Sequence, residues 1–148
     1  MEQGVFAHLE GEWIGSGPFI FGPFPAGEAT EYVRIEATDI ATAYSYVRRS
    51  RITANGAPAR IHNETGFIRT KSIGLMLSKG TWNILEWQDA TGDYRQVAAS
   101  PDTQDMQRKI TVVSPSELLW ENFMRVHTSG GQWFDHSVVT RFHSINRV

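Results

Sequence analysis

The sequence predicts an all-β protein, a single antiparallel up-and-down β-barrel of about ten strands preceded by a short N-terminal helical turn. Three observations lead there. Nearly every apolar segment is short, alternates with period two and is rich in Val, Ile, Tyr, Trp and Thr. The separators are turn chemistry: "ANGAP" with its Asn55-Gly56 pair, "DATGD", "SPDTQD", "SPS" and "TSGG". The spacing is even and the connections are of hairpin length, which suits a sheet that closes on itself and leaves no edge exposed.

Taken in order, "GVFAHLEGEW" gives the helical turn, and the strands follow at Glu12–Ile20, Gly27–Ala37, Ile40–Thr53, Ala59–Lys71 and Ser72–Lys79. The second half supplies Thr81–Gln88, Asp93–Ser100, Met106–Val113, Glu117–Thr128 and Gln132–Ser144. With 148 residues the chain has the length of one domain and can bury about two thirds of its unfolded surface. No linker, internal repeat or low-complexity stretch divides it.

Composition removes several function classes. There is no cysteine, so disulfides, thiolate metal sites and cysteine nucleophiles are out. The net charge is −2, and "YVRRSR" (Tyr46–Arg51) is the densest basic stretch, too small to argue for nucleic acid. Arg48, Arg49 and Arg51 are expected on the solvated side and end of a strand. No segment approaches the ~20 apolar residues of a membrane span or resembles a secretion signal. The expectation is a soluble cytoplasmic protein without nucleic-acid or membrane partners; the sequence leaves its oligomeric state, a homodimer included, open.

Period two then sorts side chains. In Glu117–Thr128 the row Leu118, Trp120, Met124 and Val126 is apolar, with Glu121, Arg125 and His127 opposite. In "WFDHSVVTRFH", Phe134, His136, Val138, Thr140 and Phe142 share one face, while Asp135, Ser137, Arg141 and His143 share the other. His136 therefore stands in the more hydrophobic row, where an imidazole needs a hydrogen-bond partner, a metal or enclosed water. His8 and His143 are expected outside. Alternation around His62 is poor, and the pattern does not place it. Because ten strands enclose a wider lumen than eight, a cavity for a small ligand is expected. No nucleotide-binding glycine loop, HExxH motif or GxSxG elbow occurs, so "GSGPFIFG" (Gly15–Gly22) reads as a loop at the barrel mouth.

Three segments in order carry a resemblance. "GEWIGSG" (Gly11–Gly17), "IHNETGFIR" (Ile61–Arg69) and "GQWFDHSVVTRF" (Gly131–Phe142) resemble, in turn, the opening G-x-W-x-G-x-G signature, the central H-x-E-[ST]-G-[FY] motif and the final strand of the nitrobindin-like haem-binding β-barrels, relatives of the fatty-acid-binding proteins among the calycin or lipocalin-like barrels. "SIGLMLSKGTWNILEWQDATGD" is similar to that family's paired central strands, so the likeness spans nearly the whole chain. The resemblance implies haem b as cofactor, with His136 as the axial iron ligand and His62 on the distal side in a catalytic role. Ile61 would lie beside His62, Phe134 and Val138 would pack near the porphyrin, and Trp13 would close the barrel core. It also implies nitric oxide binding or isomerisation of peroxynitrite to nitrate. Where the family has a Y-P-x-I-type segment, this chain has "PFIFGPFPAGEATEY", whose Phe19, Phe21 and Phe24 would narrow or fill the pocket.

Two further readings remain beside it. One is a carrier of a fatty acid or other apolar ligand without haem, with His136 as a polar anchor. The other is a lumen isomerase or cyclase using His62, Glu64 or His136 as general acid or base, against which Glu64 reads more simply as a salt-bridge partner at a strand end.

Overall fold

The computed structural model describes residues 9–22, 25–54, 58–127 and 132–145. Ten strands, β1 (Gly11–Phe21), β2 (Gly27–Ala37), β3 (Ala43–Ala54), β4 (Arg60–Arg69), β5 (Ser72–Leu77), β6 (Trp82–Gln88), β7 (Asp93–Ala99), β8 (Thr103–Ser114), β9 (Glu117–His127) and β10 (Trp133–Ile145), form one closed antiparallel barrel. Each strand pairs with its neighbours in sequence, and β1 pairs with β10, Trp13 opposite Ser144 and Phe21 opposite His136. Closure leaves no free edge.

Most strands agree with the sequence reading to within a few residues, and the exceptions have local causes. The helical turn expected in "GVFAHLEGEW" falls mainly on residues outside those described; Leu9 lies in a turn, and Gly11 already begins β1. Ile40 belongs to a loop closed by Thr38, whose hydroxyl donates to the Ala43 carbonyl and accepts from the Ile40 N–H. β8 starts at Thr103, ahead of the expected Met106, because Asp105 takes a left-handed backbone (φ 55°) and the register shifts between Gln104 and Gln107. That bulge carries the strand through a stretch that reads as a turn.

The lumen is layered. At the end where the chain enters, Leu9, Trp13, Val33, Ile35, Ile68, Ile73, Leu85, Tyr94, Leu118 and Phe142 make a continuous apolar core, and the Trp13 indole donates to the Leu9 carbonyl. Trp13 thus closes that end as the resemblance implies. Phe19, Ala29, Ile52 and Val138 form a smaller apolar cluster toward the other end. Between the two clusters lies a belt of charged side chains.

Candidate functional site

The belt is built from inner-row residues of five strands. Glu31 on β2 accepts a two-pronged bond from Arg48 on β3, whose Nη2 reaches both carboxylate oxygens at 2.7 Å, and Ser50 donates to the same carboxylate at 2.6 Å. Glu64 on β4 is held by Arg108 on β8 through Nη1 and Nη2 at 2.9 and 3.0 Å and by the Tyr46 hydroxyl at 2.5 Å. Arg108 Nε donates to Asn122 Oδ1 at 2.5 Å. The Trp120 ring has the two guanidinium carbons 5.2 and 5.3 Å from its centroid, within cation–π range.

Burial pushes the carboxyl pKa of both glutamates up, but the arginine charges and the bonds outweigh it and the net shift is down: Arg48 for Glu31, and Arg108 with Arg48 for Glu64. Both acids are therefore ionised in neutral solution and paired. Glu64 is a salt-bridge partner, as in the simpler sequence reading, but it lies buried in the middle of β4 and not at a strand end, and an ionised, fully bonded carboxylate has no proton to give as a general acid. Tyr46, buried beside the Glu64 carboxylate, is pushed up and keeps its proton.

Arg48 corrects the sequence reading. It is 5% exposed and faces the lumen, because Tyr46, Arg48, Ser50 and Ile52 share one row of β3 while Arg49 and Arg51 lie on the exposed row. A charge on an inner row escapes an alternation argument whenever its counter-ion lies on another strand.

Above the belt is a cavity of about 60 Å³ lined by Phe19, Ile52, Arg48, Asn122, Val138 and the two histidines His62 and His136, among others. His136 is placed by the β10 alternation and faces inward as expected. Its ring meets Phe19 and Phe21 edge-on, with centroids 4.9 and 5.3 Å apart. Burial, followed by the basic side chains of His62, Arg48 and Lys79, lowers its pKa to about 4, so the imidazole is neutral and one ring nitrogen carries a lone pair. His62 is lowered by burial, Lys79 and Arg60. Alternation in β4 is strict after all: His62, Glu64, Gly66 and Ile68 line the inside and Ile61, Asn63, Thr65 and Phe67 the outside. The strand looked irregular because its inner row is polar and its outer row partly apolar.

The structure thus brings together His136, His62 and Val138. Ile61 is 72% exposed on the outer surface, since a residue adjacent to an inward one points outward, and it does not reach the cavity. Phe134 shares the His136 row but does not line the cavity; its ring lies where a Cβ on Gly22 would sit. Phe19 and Phe21 fill the space beside His136, and Phe24 lies outside the described residues, as do His8 and the side chain of His127. A larger hollow of about 530 Å³ lies on the outer surface of β2 to β5, over Gly66 and Gly74. It is an open groove bordered by exposed side chains such as Arg34, Phe67 and Met76, whereas two histidines meet the charge belt at the inner cavity, which is the candidate site.

Haem can be tested against these residues. The donor set fits, since a neutral imidazole among apolar side chains is a haem-iron ligand type. The space is small: about 60 Å³ against the ~300–1,000 Å³ of pockets for drug-sized ligands, so a macrocycle has to lie toward the open end, with the Phe19 and Phe21 rings moved off the imidazole. Among the described residues no group of three or more His, Asp or Glu side chains is arranged to hold a bare metal ion, and one axial imidazole needs none.

No protein-family model matches the chain, and no curated protein matches it. Solved structures do. An S-type phycobiliprotein lyase, CPES from Guillardia theta, superposes with a TM-score of 0.64 over 97% of this chain and 93% of its own at 10% identity. Rv2717c from M. tuberculosis superposes with a TM-score of 0.61 over 97% of this chain and 96% of its own at 18% identity. At these identities the likeness speaks for fold alone, and the chain has the fold of a lipocalin/calycin-like ten-strand barrel.

Proposed function

We propose that the protein binds a small molecule at the end of the barrel where His136 and His62 face one cavity, and that this molecule is haem b held through His136. The observation that carries the reading is the neutral His136 imidazole on the inner row, with a second imidazole on the same cavity. Val138, Ile52 and Phe19 would supply apolar contact, and His62 a polar group facing whatever occupies the site. Bound haem would supply an iron centre able to take nitric oxide or to isomerise peroxynitrite to nitrate. The chain's part is to keep the His136 lone pair unprotonated, to exclude water with Phe19 and Val138, and to set the polarity of the far wall through His62.

The test is a haemin titration of the purified protein followed by absorption, wild type beside His136→Ala. A saturable Soret shift in the wild type that the variant lacks is the expected result. No specific shift in the wild type removes haem and leaves the second reading, a carrier of an apolar organic ligand, which the two phenylalanine rings against His136 favour.

A further inference from the structure

Of the belt residues that line the cavity, two have a donor left over when the hydrogen bonds are assigned; the orphan indole N–H of Trp120 belongs to a residue that does not line it. Arg48 uses Nε and Nη2 on Glu31, and its Nη1 takes no part in any bond of the belt. Asn122 gives its oxygen to Arg108 Nε. That bond fixes the amide orientation, because a guanidinium only donates, and the remaining group, Asn122 Nδ2, is a buried donor with no partner. Asn122 is 8% exposed and Arg48 5%, and both line the same cavity. A buried donor without an acceptor loses its hydration and gains nothing in return, so the arrangement is stabilised by an occupant that brings acceptor oxygens.

The surrounding field gives the occupant its sign. Glu31 and Glu64 are held in ion pairs by Arg48 and Arg108 within the belt, and His62, itself lowered, is uncharged in neutral solution; the charged groups felt at His136 are Arg48 and Lys79, and at His62 they are Lys79 and Arg60. All are cationic. Water would satisfy the donors but would gain little from this field, whereas an anion gains from both.

We propose that the cavity between the charge belt and His136 binds a carboxylate, held by Arg48 Nη1 and Asn122 Nδ2. The space suits a group of a few heavy atoms. The carboxylate is either a free small acid or the acid end of a longer ligand whose body lies against Phe19, Ile52 and Val138. The inference rests on reading this end of the barrel as the ligand site but does not require iron, so a failed haemin titration leaves it standing.

The experiment is isothermal titration calorimetry with formate, acetate and decanoate, and with acetamide as the neutral analogue of acetate. Saturable binding of the acids, with acetamide at least tenfold weaker, is expected. Decanoate binding at least tenfold tighter than acetate assigns the site to a longer ligand; equal or weaker binding assigns it to a free small acid. In Asn122→Asp the acceptor for Arg108 is kept while the donor is replaced by a negative charge, and acetate affinity should fall at least tenfold. Arg48→Lys, which keeps a cation for Glu31 but removes Nη1, should weaken acetate as well. Urea unfolding of both variants separates a lost site from a lost fold. The proposal is overturned if neither formate nor acetate binds the wild type saturably, if acetamide binds as well as acetate, or if folded Asn122→Asp binds acetate like the wild type.

Discussion

Arg108 and Glu64, 44 positions apart on β8 and β4, meet across the barrel lumen in a two-pronged bond that is almost fully buried, with side-chain exposures of 1% and 9%. Such a pair ties opposite walls of the barrel together. Its stabilising value is modest, since desolvation offsets most of the attraction, but removing one partner strands the other. Glu64→Leu and Arg108→Met are each expected to cost about 3–5 kcal/mol in urea unfolding, and the double variant markedly less than the sum of the two. Single variants within 1 kcal/mol of wild type would show that the belt is not coupled in this way.

The two partly buried histidines of the cavity make stability fall in mild acid. His136 has a folded pKa of about 4 against an ordinary 6.5, so between these values the unfolded chain binds more protons and stability rises with pH. The contribution is complete above about 6.5 and declines toward 4, amounting to ~3 kcal/mol over the window; His62, also lowered, acts in the same direction. The two belt glutamates, whose pKa values are lowered from 4.5, lose their contribution at still lower pH. Urea midpoints at pH 7 and pH 5 should therefore differ clearly in the wild type and less in His136→Gln. An unchanged difference in that variant would assign the effect elsewhere.

Phe21 is only partly buried and stands edge-on to the His136 ring. If haem binds through His136, this ring has to move, and Phe21→Ala should bind haemin several-fold more tightly than the wild type while folding as well. Phe19 is 7% exposed and part of the upper apolar cluster, so Phe19→Ala should also cost ~3–5 kcal/mol of stability. Haemin affinity that is indifferent to Phe21→Ala would place the haem away from His136.

Two glycines of the barrel wall should respond in opposite ways to alanine. A Cβ on Gly17 would lie 1.6 Å from the Val139 carbonyl oxygen, backbone that cannot step aside without opening the β1–β10 seam, whereas one on Gly74 meets nothing within 4 Å. Gly17→Ala is expected to lower the melting temperature by several degrees or to prevent folding. Gly74→Ala should be neutral or slightly stabilising, because it restricts the unfolded chain. Thermal unfolding followed by circular dichroism checks both.

Local patterning was enough for the all-β class, the number of strands, most of their bounds and the inner rows of β9 and β10, because a closed antiparallel barrel repeats one local rule, alternation between turns, along its whole length. His136 and Val138 were legible for the same reason. That Arg48 is buried, that Glu64 belongs to Arg108, and that Glu31 and Asn122 border the site emerges only in the folded barrel. Each is a polar residue on an inner row, and what makes it tolerable there lies on another strand. A local signal existed: Glu31 sits between Ala29 and Val33, Arg48 between Tyr46 and the Ile52 end of its row, and Arg108 between Met106 and Ile110, each a charged or polar interruption of an otherwise apolar row. Pairing those interruptions requires knowing which strands face one another across the lumen. The size of the cavity was not legible either, since it depends on how far Phe19, Phe21, Trp120 and two arginines reach into a shared space, and that is settled by packing across the whole barrel rather than by the order of residues along one strand.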